Sequence, residues 1–359
     1  MTGSLHNAGD IVGSRYEIIE YVGEGGMQEV YRAQDNLLLR PVALKVPKNS
    51  SAAKRFQRSA VVSARVNHAN VAKTLDYLEG NDRAYLIEEF IDGKDLGRVL
   101  KSIPILDTLM TARIIHHLAK GLAASHHAGV VHRDIKPSNI MAAGGEELAE
   151  VKITDFGIAK MAEEELAEAI EGGDDSLTAS QTAIGALPYM APEMIRSMKD
   201  AGTASDIWSL GALTFELLTG KKPFGSGLRA VPAILAAKVP SLPAAVTLNS
   251  QFRPGAEELY SLIAACMQAD PDARPTADEV VSKCEMLCYS VAPREFGTVQ
   301  SVRNAYWGFI DADHGKSVFY HVQSIFGGGR LKAGERVWFA RHRGSPNDRA
   351  FPVVRVLAA

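Results

Sequence analysis

The sequence predicts an α+β fold made of a small β-rich part, a larger helical part and a short β-rich tail. Apolar and polar residues alternate from Tyr16 to Val46 around a glycine turn, which is typical of antiparallel strands. Apolar residues recur at helical spacing within Thr108–His127. After Pro293 the pattern returns to short strands separated by glycine-rich turns. We therefore expect two lobes of different secondary structure followed by a small barrel.

The composition is that of a globular protein with room for two or three domains. The chain has 359 residues, of which 46% are hydrophobic and 23% charged. It has no apolar run of eighteen residues and no signal-peptide pattern at its start, so we expect a cytoplasmic protein without a membrane partner. Residues 294–359 hold ten Lys and Arg against five Asp and Glu, whereas residues 1–293 hold 29 against 37. This asymmetry indicates a polyanionic partner for the tail.

Two groups of motifs carry chemistry. The first is the glycine turn Gly23-Glu24-Gly25-Gly26, followed by the strand Val42-Ala43-Leu44-Lys45. Without a Cβ, a glycine backbone can approach a phosphate closely and point its N–H groups at the anion. The second is the polar run His132–Asn139, followed by Thr154-Asp155-Phe156-Gly157.

In this order the motifs resemble the eukaryotic-like (Hanks-type) Ser/Thr protein kinases of bacteria. Ala191-Pro192-Glu193, Asp206–Gly211 and Arg274 match further landmarks of that family. The resemblance implies a bilobal protein kinase fold. The resemblance divides this part of the chain into a leader at residues 1–12 and a kinase domain at residues 13–290. Within the kinase domain, the small lobe covers about residues 13–91 and the large lobe about residues 92–290.

The resemblance also assigns roles to single residues. Asp134 is expected to accept the proton of the substrate hydroxyl, and Lys136 to stabilise the transferring phosphoryl group. Asn139 and Asp155 are expected to hold Mg²⁺. The candidate ATP-binding residues are Gly23, Gly25, Val30, Ala43, Lys45, Glu88, Glu89 and Ile91, the last two through their backbones. ATP and Mg²⁺ are thus the expected cofactors, and Ser or Thr of proteins the expected substrate.

Three positions depart from the family pattern. Gln28 stands in place of the third glycine, Ser59 in place of the helix glutamate that pairs with the strand lysine, and Ala186 in place of a threonine that braces the catalytic residues. We expect the Gln28 side chain to point outward, which weakens the closure of the loop over phosphate without abolishing it.

The missing glutamate leaves Lys45 without its usual partner, because no Asp or Glu occurs between Lys45 and Leu75. We hypothesise that Glu88, on the strand before the hinge, replaces it. In the alternative, Glu88 is solvated and Lys45 pairs only with ATP and Asp155. The register decides between the two, since a slip of one residue turns Glu88 to the other face.

A cluster of hydroxyl side chains follows the second group of motifs. Arg133, beside the catalytic aspartate, is placed to bind a phosphate on this loop. The alternative is a polar loop without modification. The candidate phosphorylation sites are Ser176, Thr178, Ser180 and Thr182.

Five short strands in residues 294–359 predict a small barrel. The segments Trp307-Gly308-Phe309-Ile310 and Val318-Phe319-Tyr320-His321-Val322 resemble the cold-shock domain, which implies an OB-like β-barrel that binds single-stranded RNA or DNA. Alternation places four rings on one face as a stacking platform for bases. These are Trp307, Phe309, Phe319 and His321. The alternative is a barrel that binds protein or the kinase lobe itself, and the short linker predicts that the barrel lies close to the large lobe.

The sequence therefore predicts an ATP-dependent, autophosphorylating Ser/Thr protein kinase with a nucleic-acid-binding module that localises or regulates it. The rival interpretation is an ATP-binding pseudokinase that acts as a nucleic-acid-tethered binding or scaffold protein. The three departures from the family pattern favour the rival.

Overall fold

The structure is a computed structural model that describes residues 4–24, 28–48, 53–80, 83–156, 185–287 and 289–357. Along the chain it has a small lobe built on one sheet, a larger helical lobe and a closed barrel. This is the order of β-rich and helical parts that the sequence predicts.

The small lobe is an antiparallel sheet of six strands in the order β1–β2–β3–β4–β6–β5. Leu44 and Ile87 belong to a buried cluster on one face, whereas Leu86 packs against Phe56 of helix α1 on the other. The elements are β1 (Ile11–Val12), β2 (Tyr16–Glu24), β3 (Gln28–Asp35), β4 (Arg40–Pro47), α1 (Ala53–Ser63), β5 (Thr74–Glu79) and β6 (Ala84–Glu89). Since strand side chains alternate, Lys45 projects on the α1 side of the sheet.

Residues 4–12, which we expected to form a loose leader, lie against the small lobe. Val12 pairs with Tyr16 in the sheet, and the Leu5 N–H donates to Glu29 Oε2 at 3.0 Å. The His6 N–H donates to the Tyr31 hydroxyl at 3.1 Å. These anchors are backbone donors and one two-residue strand, which leave no periodic pattern in the sequence. The domain boundary at residue 13 stays a prediction.

The large lobe is mainly helical and contains the largest hydrophobic cluster of the protein. Helices α3 and α5 lie at its centre, with most of their side chains buried. The helices are α2 (Leu96–Ser102), α3 (Thr108–His127), α4 (Pro192–Arg196), α5 (Thr203–Thr219), α6 (Val231–Ala236), α7 (Ala244–Thr247), α8 (Arg253–Cys266) and α9 (Ala277–Glu285). Arg274, which the sequence analysis names together with Glu193, donates two hydrogen bonds to the Glu193 carboxylate, at 2.7 and 2.8 Å.

A small sheet of the large lobe brings the two polar motifs together. It consists of β7 (Gly93–Asp95), β8 (Ile140–Ala143) and β9 (Glu150–Ile153). Ile140 pairs with Ile153, so the residue before β8 and the residues after β9 lie at the same edge of this sheet. Asn139 and Asp155 are thereby held close together, although fifteen residues separate them in sequence.

Residues 294–355 form a closed barrel of five strands in the order β10–β11–β12–β14–β13. The pairing of β10 with β13 closes it, and β12 and β14 are parallel where they meet. Its own core includes Val299, Ile310 and Phe339. The strands are β10 (Arg294–Arg303), β11 (Trp307–Ala312), β12 (Val318–His321), β13 (Arg336–His342) and β14 (Arg349–Arg355).

The barrel packs against the large lobe, as the short linker predicts. Phe252 of the lobe stacks on Phe351 with 5.3 Å between ring centroids and meets Phe326 edge-on at 5.2 Å. Gly327 permits this approach, because a Cβ at this position would lie 2.1 Å from Ile105 Cδ1. Phe326 is counted in the hydrophobic cluster of the large lobe, so the two apolar interiors are continuous.

A buried ion pair crosses the same interface. Arg294 Nη2 lies 2.9 Å from Asp107 Oδ2, and the two side chains are 2% and 0% exposed. Asp107 also caps α3 by accepting from the Leu109 and Met110 N–H groups. The Arg294 guanidinium lies over the Trp338 ring at 4.7 Å. The start of the barrel is thus tied to the start of a central helix of the lobe.

None of the helices within the described ranges is long and apolar enough to cross a membrane.

We predict that Arg294→Met destabilises the whole protein by about 3 kcal/mol, because Asp107 remains buried without its cation. The measurement is the free energy of urea unfolding. Arg343→Met, at an exposed position of the barrel, is the matched control and should change it by less than about 0.5 kcal/mol. The double variant Arg294→Met/Asp107→Asn should recover part of the loss. Equal stability of Arg294→Met and the control would contradict the structural role of this pair.

Candidate active site

Three charged side chains meet at the cleft between the lobes. Lys45 Nζ lies 2.5 Å from Glu88 Oε2 and 2.8 Å from Asp155 Oδ1. Lys45 and Glu88 are each 5% exposed. The hypothesised pair of Lys45 and Glu88 is present, and the solvated alternative for Glu88 is wrong. Lys45 also contacts Asp155, the protein partner that the alternative interpretation named.

The strand register explains the pair. Ala43 lies opposite Glu88 and Lys45 opposite Leu86, so Lys45 and Glu88 are diagonal neighbours on one sheet face. Long side chains reach each other at diagonal positions. This face is the one that Leu86 presents to α1. Helix α1 carries no acid, and the acid comes from the sheet instead.

The electrostatics of the three groups follow from burial and pairing. Burial disfavours the Lys45 cation, but Asp155 and Glu88 outweigh it, so the pKa of Lys45 lies above its usual value. Burial raises the pKa of Glu88, with Lys45 acting in the opposite direction. For Asp155 burial is outweighed by Lys45 and by a hydrogen bond from Gln28, and its pKa is lowered. Lys45 therefore remains an ammonium and Asp155 a carboxylate at neutral pH.

The side chain of Gln28 points into the cleft, so our expectation that it points outward was wrong. Its Nε2 donates to Asp155 Oδ1 at 2.9 Å, and the residue is 7% exposed. The reason is strand alternation: Gln28 is the first residue of β3, and Val30, two residues on, lies opposite Lys45. Gln28 and Val30 share one face of β3, and Val30 lies opposite Lys45. Extending this alternation to Gln28 would have predicted the inward side chain.

The polar run forms a compact network around one carboxylate. Asp134 Oδ2 accepts from Lys136 Nζ at 2.6 Å and from Asn139 Nδ2 at 2.8 Å. Asn139 Nδ2 also donates to the Asp134 carbonyl at 2.8 Å. The hydrogen bonds from Lys136 and Asn139 both go to Asp134 Oδ2. Asp134 Oδ1 is therefore the oxygen that can accept a hydrogen bond from a substrate. The amide nitrogen of Asn139 is held by Asp134, and its Oδ1 accepts from the Ser138 hydroxyl at 3.4 Å.

A buried aspartate on α5 holds this loop in shape. Asp206 Oδ2 accepts from the His132 N–H at 2.9 Å, and Oδ1 accepts from the Arg133 N–H at 2.7 Å. These bonds support Arg133 at φ 68°, a conformation that is rare outside glycine. His126 Nε2 lies 2.9 Å from the same Asp206. Sequence reasoning missed this histidine, since only the fold brings the end of α3 to the start of α5.

The remaining predicted residues of the kinase site divide by position. Glu89 ends β6, and its Oε1 accepts from Lys152 Nζ at 2.5 Å; Ile91 follows two residues later. Val30 and Ala43 are half-buried on β3 and β4, and Gly23 lies near the end of β2. Five predicted residues lie outside the described residues, namely Gly25, Ser176, Thr178, Ser180 and Thr182.

The oxygen donors fit a magnesium ion. Mg²⁺ prefers oxygen ligands and uses one or two protein carboxylates together with substrate phosphates. Asp155 and Asn139 supply two side-chain oxygens at one sheet edge. Two side-chain oxygens of this kind suit an ion that takes its remaining ligands from phosphate and water. Within the described ranges, no cluster of three His, Cys, Asp or Glu side chains arranged for a metal occurs.

On the barrel, the predicted rings form one cluster, which we call the aromatic patch (Trp307, Phe309, Phe319 and His321). Its first three rings lie 5.9 to 6.1 Å apart between centroids, and His321 pairs with Trp307 across the strands. Gly308 lets β11 approach β10, because a Cβ there would lie 1.9 Å from the Ser301 carbonyl oxygen. All four rings are half-buried, whereas the side chains between them face the barrel core.

A groove and several cations adjoin the patch. The groove has a volume of about 290 Å³ and is lined by Phe319, His321, Arg349 and Phe351 of the barrel and Gln251 of the lobe. Within the described residues, six exposed cations of the barrel make no ion pair. They are Arg303, Lys316, Arg330, Lys332, Arg343 and Arg349. Arg341, in contrast, is held by Glu295 and Asp348.

Comparison with known proteins agrees with the kinase-like geometry. Residues 16–284 match the protein kinase domain. "Probable serine/threonine-protein kinase PknB" of Lactococcus lactis is 35% identical over 249 residues, which cover 68% of this chain and 37% of that protein. PknB of Corynebacterium glutamicum is 35% identical over 225 residues, covering 60% of this chain and 33% of that protein. "Serine/threonine-protein kinase PknA" of Mycobacterium tuberculosis is 34% identical over 266 residues, covering 71% and 57% respectively.

This chain thus spans roughly a third to three fifths of the length of these relatives. The match covers both lobes, with the loop His132–Asn139 and the cluster of Lys45 and Asp155 inside it. The chain belongs to the protein kinase domain family.

Proposed function

We propose that this protein transfers the γ-phosphoryl group of Mg-ATP to Ser or Thr hydroxyls of proteins in the cytoplasm. The arrangement of Asp134, Lys136 and Asn139 around one carboxylate carries the proposal. It brings the proposed proton acceptor and a cation within hydrogen-bond reach of each other, and the amide nitrogen of Asn139, the proposed metal ligand, donates to the same carboxylate oxygen. Phosphoryl transfer needs mainly positioning and charge stabilisation, which these groups supply.

In the proposed reaction, Asp134 Oδ1 accepts the proton of the substrate hydroxyl, because Oδ2 is occupied by Lys136 and Asn139. Lys136 then stabilises the charge on the transferring group. Lys45 holds the α and β phosphates, and the backbones of Glu89 and Ile91 bind the adenine edge. When bound, Mg²⁺ neutralises phosphate charge at Asn139 and Asp155.

The direct contact of Lys136 with Asp134 bears on the missing threonine. Ala186, at the position of that threonine, is 6% exposed and offers no hydroxyl. The 2.6 Å bond between Lys136 and Asp134 holds the two catalytic groups together without a brace. We therefore favour an active enzyme over the pseudokinase interpretation.

We further propose that the protein phosphorylates its own segment after Asp155 and that the Arg133 guanidinium binds the resulting phosphate group. Arg133 Nε is buried and has no hydrogen-bond partner in the described part of the chain. A phosphate would satisfy such a guanidinium with charge-assisted hydrogen bonds.

For the barrel we propose binding of single-stranded RNA or DNA, which localises or regulates the kinase. The aromatic patch lies on the second and third strands, the face by which OB-folds bind oligonucleotides. Aromatic rings stack on bases and the six unpaired cations attract the phosphate backbone. The closed five-stranded order supports an OB-like, cold-shock-like barrel.

We predict that Asp134→Asn lowers phosphoryl transfer by at least about 100-fold while ADP binding changes little, because only proton acceptance is lost. Purified protein is incubated with labelled Mg-ATP and a protein acceptor, with and without single-stranded oligonucleotides. Transfer at equal rates by the variant and the parent would contradict the role of Asp134. ATP binding without any transfer by the parent would establish the pseudokinase.

We predict that Glu88→Met lowers ATP affinity and turnover by about 10- to 100-fold, since a buried charge-assisted hydrogen bond is worth about 1.5–3 kcal/mol. The measurements are ATP binding by calorimetry and the KM for ATP. Glu20→Met, on the exposed side of the small lobe, is the control. Adding Ser59→Glu restores the acid at the family position and should recover part of the loss. Unaltered affinity and activity in Glu88→Met would refute the role of the pair.

We predict that Phe309→Ala/Phe319→Ala weakens binding of an oligonucleotide of about twelve nucleotides by at least about 30-fold, because each of the two stacked bases contributes about 1–3 kcal/mol. Fluorescence anisotropy with RNA and DNA strands measures this. Tyr21→Ala removes an exposed ring of the small lobe and should leave binding unchanged. If the parent protein binds neither strand, the nucleic-acid role is excluded.

A further inference from the structure

Gln28 is a buried amide at the edge of the proposed magnesium site, and only its nitrogen has a hydrogen-bond partner among the described residues. Its Nε2 donates to Asp155 Oδ1 at 2.9 Å. Its Oε1 is buried and has no hydrogen-bond partner in the described part of the chain. A buried amide oxygen without a partner costs free energy unless something else satisfies it. An unused oxygen beside a metal-binding carboxylate points to a ligand.

The spacing of the two side chains fits one octahedral ion. Mg²⁺ holds its oxygens at 2.0–2.1 Å with right angles between neighbours, so adjacent ligand atoms lie roughly 3.0 Å apart. The terminal atom of Gln28 lies 2.9 Å from Asp155 Oδ1. Rotation of the amide by half a turn exchanges its nitrogen and oxygen at nearly equal volume. Oε1 then occupies the position of a ligand adjacent to Asp155 Oδ1.

We propose that Gln28 is a third protein ligand of the magnesium ion, next to Asp155 and Asn139, and that its amide turns when the metal binds. In the metal-free protein the NH₂ group caps the Asp155 carboxylate. With the metal present the same group would face a cation, and the carbonyl oxygen replaces it. This proposal rests on the proposed function, since it assumes that Asp155 binds Mg²⁺ together with a nucleotide.

The position of Gln28 gives this ligand a second effect. Gln28 begins β3 in the small lobe, whereas Asp155 follows β9 in the large lobe. A metal bound to both side chains therefore links the lobes directly. A glycine at this position would have no side chain to bind the metal. In this chain, the Gln28 side chain therefore couples metal binding to the approach of the two lobes.

Binding of Mn²⁺ in the presence of ADP tests the proposal without any turnover. Electron paramagnetic resonance of free Mn²⁺ gives the metal affinity of the full-length protein. Gln28→Leu keeps the approximate size but removes the oxygen, and should weaken Mn²⁺ binding by about tenfold. Gln28→Glu supplies a carboxylate oxygen at the same place, and should bind Mn²⁺ at least as tightly as the parent.

A matched control and two further readouts complete the experiment. Gln57→Leu removes an exposed small-lobe glutamine that donates to Glu79, and should leave Mn²⁺ affinity unchanged. Affinity for ADP in EDTA should change less than twofold in Gln28→Leu, because the amide contacts metal and not nucleotide. Thermal unfolding in EDTA verifies that each variant is folded.

The outcomes separate this inference from the proposed function. If Gln28→Leu binds Mn²⁺ as tightly as the parent, or more tightly, Gln28 is a competing cap and not a ligand. If Gln28→Leu does not fold, a Gln28→Glu variant with affinity more than fivefold weaker than the parent overturns the proposal by itself. If the parent shows no Mn²⁺ binding with ADP, the nucleotide-dependent metal site and the proposed function fail together.

Discussion

A buried ammonium needs a carboxylate within reach, and in this protein the small lobe supplies it from its own sheet. Lys45 is 5% exposed, and removing one partner of a buried ion pair is costly. Helix α1 carries no acid, so the pair cannot depend on how this helix is placed. Glu88 and Lys45 lie on hydrogen-bonded neighbouring strands, and their separation is set by backbone register. The lysine is thus positioned by the most constrained part of the lobe.

The same cluster joins the two lobes and sets their electrostatics. Lys45 and Gln28 come from the small lobe and both contact Asp155 Oδ1 of the large lobe. Burial acts to raise the pKa of Asp155, but Lys45 and the hydrogen bond from Gln28 outweigh it and keep this side chain a carboxylate. Interactions between such charges are strong where little water screens them. The contacts of Asp155 therefore both join the lobes and stabilise its charged form.

Much of the fold and of the site could be predicted from the sequence, because the motifs lie in order and the strand and helix periods are clear. The pair of Lys45 and Glu88 followed from an absence of acids in α1, which is a property of sequence alone. The inward side chain of Gln28 was missed because the period of β3 was not extended to its first residue. His126 and Arg294 could not be found, since their partners Asp206 and Asp107 are 80 and 187 residues away. Packing of the leader on the sheet was missed because its anchors are backbone donors and one two-residue strand, which leave no periodic pattern in the sequence.

Docking of the barrel on the large lobe leaves most of the barrel's positive charges without an acidic partner among the described residues. A basic barrel against an acidic body would be expected to neutralise its cations there. Among the described residues, however, the interface contains one ion pair, and its other contacts include aromatic rings and hydrogen bonds from the Asn249 side chain to backbone carbonyls. The six cations that make no ion pair within the described residues are exposed. The aromatic patch lies on β11 and β12, whereas Arg294 and Trp338 belong to β10 and β13. Intramolecular docking therefore explains where the barrel lies and leaves its basic, aromatic surface for another partner. A polyanion with stackable rings satisfies both features at once, whereas a protein partner would need acids and apolar groups matched to each.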